Sequence, residues 1–164
     1  MKTRKKPVGG KDIRRRRASK ELAKKRVADI AVERVLKLLR EDGYICVIIS
    51  TPAQAKAAGF GRWPGFDVYA CKKGVDGRRD VEKYVEIKGR ARKGGVRITK
   101  NEWRAAGEYR GYYYLYIVYN CFSVPEIVYV RNPANKLPVV KRKGRLFAAD
   151  EDIERVGKKA KRFK

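Results

Sequence analysis

Three residues have the types and spacing on which hydrolytic chemistry can be built: Asp67 and, on a later segment, Glu86 and Lys88 either side of Ile87. In a β-strand alternate side chains share a face, so Glu86 and Lys88 project together while Ile87 turns to the other side. Asp67 lies in a β-rich run, FDVYACK, and a hairpin through a Gly74–Gly77 turn containing Asp76 would set it beside Glu86 on that face. Two adjacent carboxylates are costly unless a cation neutralises them. Two hard oxygen ligands beside the carbonyl of Ile87 suit Mg²⁺, with Mn²⁺ as its substitute, because such an ion takes few protein ligands and keeps several waters. The chemistry this implies is phosphodiester hydrolysis, in which a metal acts as Lewis acid, activates water and stabilises the charge developing in the transition state. Lys88 would position or deprotonate the nucleophile. The base role needs a lowered pKa, which burial and a metal favour and the two carboxylates oppose. The plain alternative is that Glu-x-Lys is a surface charge pair of little energetic consequence.

The segments around these residues read as an α/β domain, a mixed central β-sheet flanked by helices. Apolar residues at Val27, Ile30, Ala31, Val35 and Leu38 predict a helix from about Ser19 to Asp42, stopped by Gly43. Strands are expected over 44–50, 66–72, 81–88, 96–98, 112–119 and 126–130. The first of these is followed by a loop rich in Pro and Gly. Thr99 and Glu102 form a capping box that starts a short helix from Lys100 to about Tyr109. YYYLYIVY is apolar enough to lie centrally in the sheet, with its tyrosines serving packing rather than base stacking. Residues 1–26 read as a flexible basic arm, 27–135 as the α/β domain, and 136–164 as a basic C-terminal extension with no clear element except a short helix from Asp150.

Composition narrows the partner. Forty-three Lys and Arg against eighteen Asp and Glu give a formal charge of +25 on 164 residues. So dense a charge repels itself unless a polyanion offsets it, and nucleic acid binding through counterion release is the natural answer. A membrane partner is not expected, because the charge is not gathered on one amphipathic helix. The absence of histidine excludes imidazole-ligated zinc, His-based triads and HNH-type chemistry. Three cysteines, Cys46, Cys71 and Cys121, sit in apolar runs and read as buried thiols, and with no hydrophobic leader or span the expected location is cytoplasmic.

Asp67, Glu86 and Lys88 in their strand setting resemble the PD-(D/E)xK nuclease superfamily, with Pro64 in place of the motif proline but three residues before Asp67. More narrowly, GFDVYA, YVEIKGR, ITKNEWRAA and YYYLYIVYN are similar to the carboxy-terminal domain of the plant NO VEIN protein and several helicase-associated proteins, over about residues 27–131. The resemblance implies a restriction-endonuclease-like fold. Asp67, Glu86 and the Ile87 carbonyl would hold the metal, Lys88 would stand at the water, and Glu33 on the first helix would be an auxiliary acid. Glu33 falls nearly opposite the apolar arc of that helix, so a solvated face is an equal reading. Glu102 also matches the narrower pattern, although the capping box accounts for it. Arg62, Arg90, Arg92, Lys93 and Arg97 are placed to grip phosphates near the scissile bond, and Arg14, Arg15, Arg16 and Arg17 to contact the backbone from the arm. The functional expectation is a metal-dependent endonuclease, with DNA the expected substrate. The alternatives are a non-catalytic nucleic-acid-binding module of a helicase, restriction or ribosomal assembly, and a ribosomal or RNA-packaging protein of another fold. A homodimer would suit cleavage of both strands, and a larger assembly stays open, since no interface signature is legible.

Overall fold

A computed structural model describes residues 10–74, 77, 79–142 and 144–160. Asp76 of the expected turn and the outermost residues of both basic ends lie outside the described residues.

The chain opens with α1 (Gly10–Glu41), a single 32-residue helix. Its second half buries Ala31, Val35 and Leu39 completely against the sheet. Its first half is exposed and has no apolar periodicity. There the run of Arg, Lys, Ala, Glu and Leu is helical through propensity and continuity with the packed half. The helix expected from about Ser19 thus begins earlier, and residues 10–18, expected only as part of a flexible arm, are an extension of it. The helix stops where Gly43 adopts φ +83 and the Tyr44 amide bonds back to the Leu39 carbonyl at 2.9 Å, the hydrogen-bond pattern of a left-handed C-cap.

Next come β1 (Ile45–Ile48), a short α2 (Pro52–Ala57), β2 (Val68–Lys73), β3 (Arg79–Gly89), β4 (Val96–Ile98), α3 (Lys100–Tyr109), β5 (Tyr113–Tyr119) and β6 (Glu126–Arg131). The expected loop after β1 thus contains a helix, capped by the Thr51 side chain with Pro52 in the first turn. The remaining elements are α4 (Pro133–Lys136), β7 (Val139–Arg142), β8 (Arg145–Ala148), α5 (Asp150–Val156) and β9 (Lys158–Lys159). The region beyond residue 136 therefore carries more structure than the one helix expected, and it buries Leu137, Ala148 and Ile153.

The main sheet has the order β1-β2-β3-β5-β6-β9. The β3–β5 pair is parallel and the others antiparallel, so the sheet is mixed as expected, with β5 central. One face packs on α1 through Val68, Ala70, Val85, Ile87, Tyr116 and Val118. The other face meets α3 and a separate antiparallel sheet of order β4-β8-β7, with α5 alongside. Glu86 and Lys88, one residue out of phase with Val85 and Ile87, point to this second face. Tyr116 stacks on Tyr114 and on Tyr129 across β5 and β6, with Tyr114 and Tyr129 tilted against each other, the sheet-packing role read from the sequence.

Candidate active site

Two close approaches set the backbone around the acidic residues. Gly65 has φ +87, and a Cβ there would lie 2.7 Å from the Asn101 carbonyl and 2.9 Å from Ala105, so α3 rests directly on this glycine. The buried Tyr113 hydroxyl donates to the Gly65 carbonyl at 2.8 Å and ties the same turn to β5. On the opposite side of the sheet, a Cβ at Gly89 would lie 2.6 Å from the Val27 carbonyl, so α1 crosses immediately after Lys88.

Between these contacts β2 separates from β3. Val68 still pairs with Val85, and the Asp67 amide donates to the Val85 carbonyl at 2.9 Å. One step further the strand partner is gone, and the Asp67 side chain takes its place: Oδ2 accepts from the Ile87 amide at 2.9 Å. Within a strand the N–H and C=O of one residue face the same neighbour, so the Ile87 carbonyl is directed to the edge occupied by the Asp67 carboxylate. Glu86 is 5% exposed, the one charged residue in the buried class among the described residues. Lys88 Nζ donates to Glu86 Oε1 at 2.6 Å and to Glu102 Oε2 at 2.7 Å.

The electrostatics follow from burial. Desolvation raises the Glu86 carboxyl well above the usual range, with Lys88 pulling it down and Asp67 and Glu102 pushing it up. Burial likewise raises Asp67, against the lowering influence of the Ile87 amide and Lys88. For Lys88 burial acts downward, but the two carboxylates outweigh it and the net shift is upward. The lowered pKa needed for a general-base lysine is therefore not produced by this arrangement; Lys88 is a protonated cation held in a fork. Burial raises the Tyr113 hydroxyl too, with Glu86, Glu102 and Asp67 adding to the effect, so it stays a neutral donor beside the acids.

Asp67, Glu86, Ile87 and Lys88 are thus brought together as the strand spacing implied. Glu102 joins them. Its capping box with Thr99 is formed, and the same Oε2 that accepts the Thr99 amide at 2.9 Å also accepts from Lys88. The cap was readable from TKNE, whereas the reach to Lys88 depends on where α3 lies. Glu33 is exposed on α1, in a groove with Asp29, Val32, Leu36, Lys37 and Ser50, and no interaction among the described residues joins it to the cluster. The helix that carries it packs on the Ile87 face, opposite Glu86 and Lys88.

Arg14, Arg15, Arg16 and Arg17 are exposed on α1, and Arg62, Arg90, Arg92 and Arg97 are also exposed. Lys93 is already engaged, 2.6 Å from Glu154 and 3.8 Å from Glu126. Among the described residues no group of three or more acidic or cysteine side chains is placed to cage a metal. Two carboxylates and a carbonyl at one strand edge nevertheless fit a hard cation that keeps most of its water, and the raised pKa of both acids marks charge that such an ion would relieve. No helix among the described residues is long and apolar enough to cross a membrane.

No curated protein and no solved structure matches the chain. The family model described as Protein NO VEIN, C-terminal, matches residues 27–130, which include both glycine contacts, Asp67 just ahead of β2, the strand bearing Glu86 and Lys88, and the helix bearing Glu102. By that match the chain belongs to the NO VEIN C-terminal family.

Proposed function

We propose that the protein is a metal-dependent endonuclease of the PD-(D/E)xK type that hydrolyses phosphodiester bonds, with DNA as its substrate. The observation that carries this reading is the placement of the Asp67 carboxylate on the Ile87 amide, at the point where β2 leaves β3, next to a buried Glu86 and a forked Lys88. Asp67, Glu86 and the Ile87 carbonyl are the residues that would hold Mg²⁺ or Mn²⁺, and the bound ion would supply Lewis-acid charge to the scissile phosphate. Lys88 keeps its proton. Its work is to hold the attacking water or a phosphate oxygen by hydrogen bond and charge, and Glu102 positions it from behind. The net charge of +25 supplies affinity for the polyanion, and a cytoplasmic location goes with this reading.

One observation favours a second reading. The Lys88 ammonium already satisfies Glu86 and Glu102, a closed arrangement that a binding module of a helicase, restriction or ribosomal assembly could retain without chemistry. The deciding experiment is cleavage of labelled single-stranded, duplex and four-way-junction DNA in Mg²⁺, Mn²⁺ or EDTA, using wild type, Asp67→Ala and Lys88→Ala. Metal-dependent cutting lost in both variants is the expected result. Salt-sensitive binding with no cutting in any metal would overturn the nuclease reading in favour of the module.

A further inference from the structure

The small sheet has an outward face that the acidic cluster does not use. On β4, Val96 and Ile98 turn inward and leave Arg97 exposed between them. The register sets Phe147 of β8 opposite Arg97 on one side and Val140 of β7 on the other, and it sets Arg145 opposite Arg142. Directly opposed residues share a face, as do residues two apart along a strand, so Arg97, Phe147, Val140, Arg142 and Arg145 form one outward surface. Phe147 is half-buried yet belongs to none of the hydrophobic clusters, and Val140 is 49% exposed.

This surface is built at a cost. Like charges directly opposite one another destabilise a sheet. None of the three arginines has an acidic partner among the described residues, and no acidic residue stands at any of the five positions. An anion arriving from solution relieves that repulsion. A ring flanked by guanidinium groups on an open sheet also presents a flat surface to a nucleobase, and it can meet the face of a base only where that base is unpaired.

We propose that the outer face of the β4-β8-β7 sheet binds an unpaired nucleic acid strand, with Phe147 stacking on a base and Arg97, Arg142 and Arg145 on the flanking phosphates. The proposal rests on the reading of this chain as a protein that acts on nucleic acid, and it names the form of substrate. The face adjoins the start of α3. Arg97, Thr99, Lys100 and Arg145 line one groove, and Thr99 caps the helix whose Glu102 holds Lys88. A strand lying on the arginines would therefore lead toward the acidic cluster along the start of α3.

The test is binding of a short labelled single strand and of its duplex to the full chain in EDTA, followed by anisotropy across a salt series. Phe147→Leu keeps apolar volume but removes the ring, and is expected to weaken single-strand binding about tenfold with duplex binding unchanged. Arg97→Gln combined with Arg145→Gln should lower the single-strand salt slope by about 1.4. Both variants are checked for a melting temperature no more than a few degrees below that of wild type. If they bind the single strand as wild type does, this face is not the site, and the nuclease reading still stands on the Asp67→Ala cleavage result. Failure of wild type to bind any nucleic acid would overturn both. Capture of polyglutamate that depends on the arginines and not on Phe147, with oligonucleotide binding unaffected, would assign the face to an acidic protein and overturn the proposal.

Discussion

On one side of Thr99, at the Asp67, Glu86, Lys88 and Glu102 cluster, opposite charges are buried and held at 2.6–2.7 Å. On the other side, on the small sheet, Arg142 faces Arg145 in the open with Arg97 beside them. The same side-chain chemistry has opposite consequences in the two places. Inside, each charge depends on its neighbour, and removing one leaves another unpaired in a poor solvent. Outside, each guanidinium is hydrated and contributes little to the fold, so its value depends on what arrives from solution. Substitutions that separate folding from function should therefore behave differently on the two sides of Thr99.

The largest effect is expected at Lys88. Lys88→Met removes the cation from Glu86, whose side chain is 6% exposed, and from Glu102, whose side chain is 13% exposed. Breaking a buried pair from one side costs about 3–5 kcal/mol, and the remaining 20% exposure of the Lys88 side chain puts this case near the lower figure. Urea denaturation at neutral pH should show that loss. It should shrink on acidification, because the stranded Glu86 can then take up a proton. A loss independent of pH would mean that side-chain packing, rather than charge, holds the cluster.

That cluster was only partly legible in the sequence. Asp67, Glu86 and Lys88 could be read because strand alternation is a two-residue rule and a hairpin is a local device. Glu102 matches the narrower family pattern but is accounted for by the cap, since the cap is local and the contact with Lys88 depends on α3 resting on Gly65. Of the small sheet only β4 is legible, for a different reason. Its strands β7 and β8 have four residues each, and β7 is almost wholly exposed, so no apolar alternation marks them among the basic residues. The N-terminal half of α1 left no periodic signal either, because it buries nothing.

The next effect, with opposite sign, belongs to Glu86→Gln. Burial holds the Glu86 carboxyl well above its usual range, so the folded state binds its proton more tightly than the unfolded state does. A raised carboxyl pKa makes stability fall as pH climbs from the unfolded value through the folded one, and its cost is fully present above both. Glutamine removes that cost. Relative to wild type, the variant should be the more stable protein in metal-free buffer above neutrality, and the advantage should disappear as pH falls toward the ordinary carboxylate range. Cleavage should be lost at every pH. Thermal melts of both proteins across pH, set beside a cleavage assay, decide this, and a variant less stable than wild type at high pH would contradict it.

Glu102 joins the two regions and should give an intermediate result. Glu102→Ala removes both the bond to the Thr99 amide and the second carboxylate on Lys88, with an expected loss of about 1 kcal/mol from that capping-box hydrogen bond alone. Glu102→Gln keeps an oxygen for the capping box, which accepts Glu or Gln at this position, and removes only the charge from Lys88. The pair should therefore differ in melting temperature and agree in reduced cleavage. If Glu102→Gln cleaves as wild type does, Glu102 is a cap and has no part in positioning Lys88.

The smallest effect is on the arginine face, where its sign carries the information. Arg145→Gln removes one of two like charges directly opposed across β7 and β8. Exposed substitutions of this kind usually stay within about 0.5 kcal/mol, and here relief of repulsion should make the change stabilising. Because the charges are exposed, salt screens their repulsion. The gain should be greatest at low ionic strength and fade as salt is added, measured as the difference in urea midpoint between variant and wild type. The same substitution weakens binding of a polyanion, so stability and affinity move in opposite directions from one residue. A destabilised Arg145→Gln would mean that the guanidinium supports the fold. The face would then need no ligand to account for its charge.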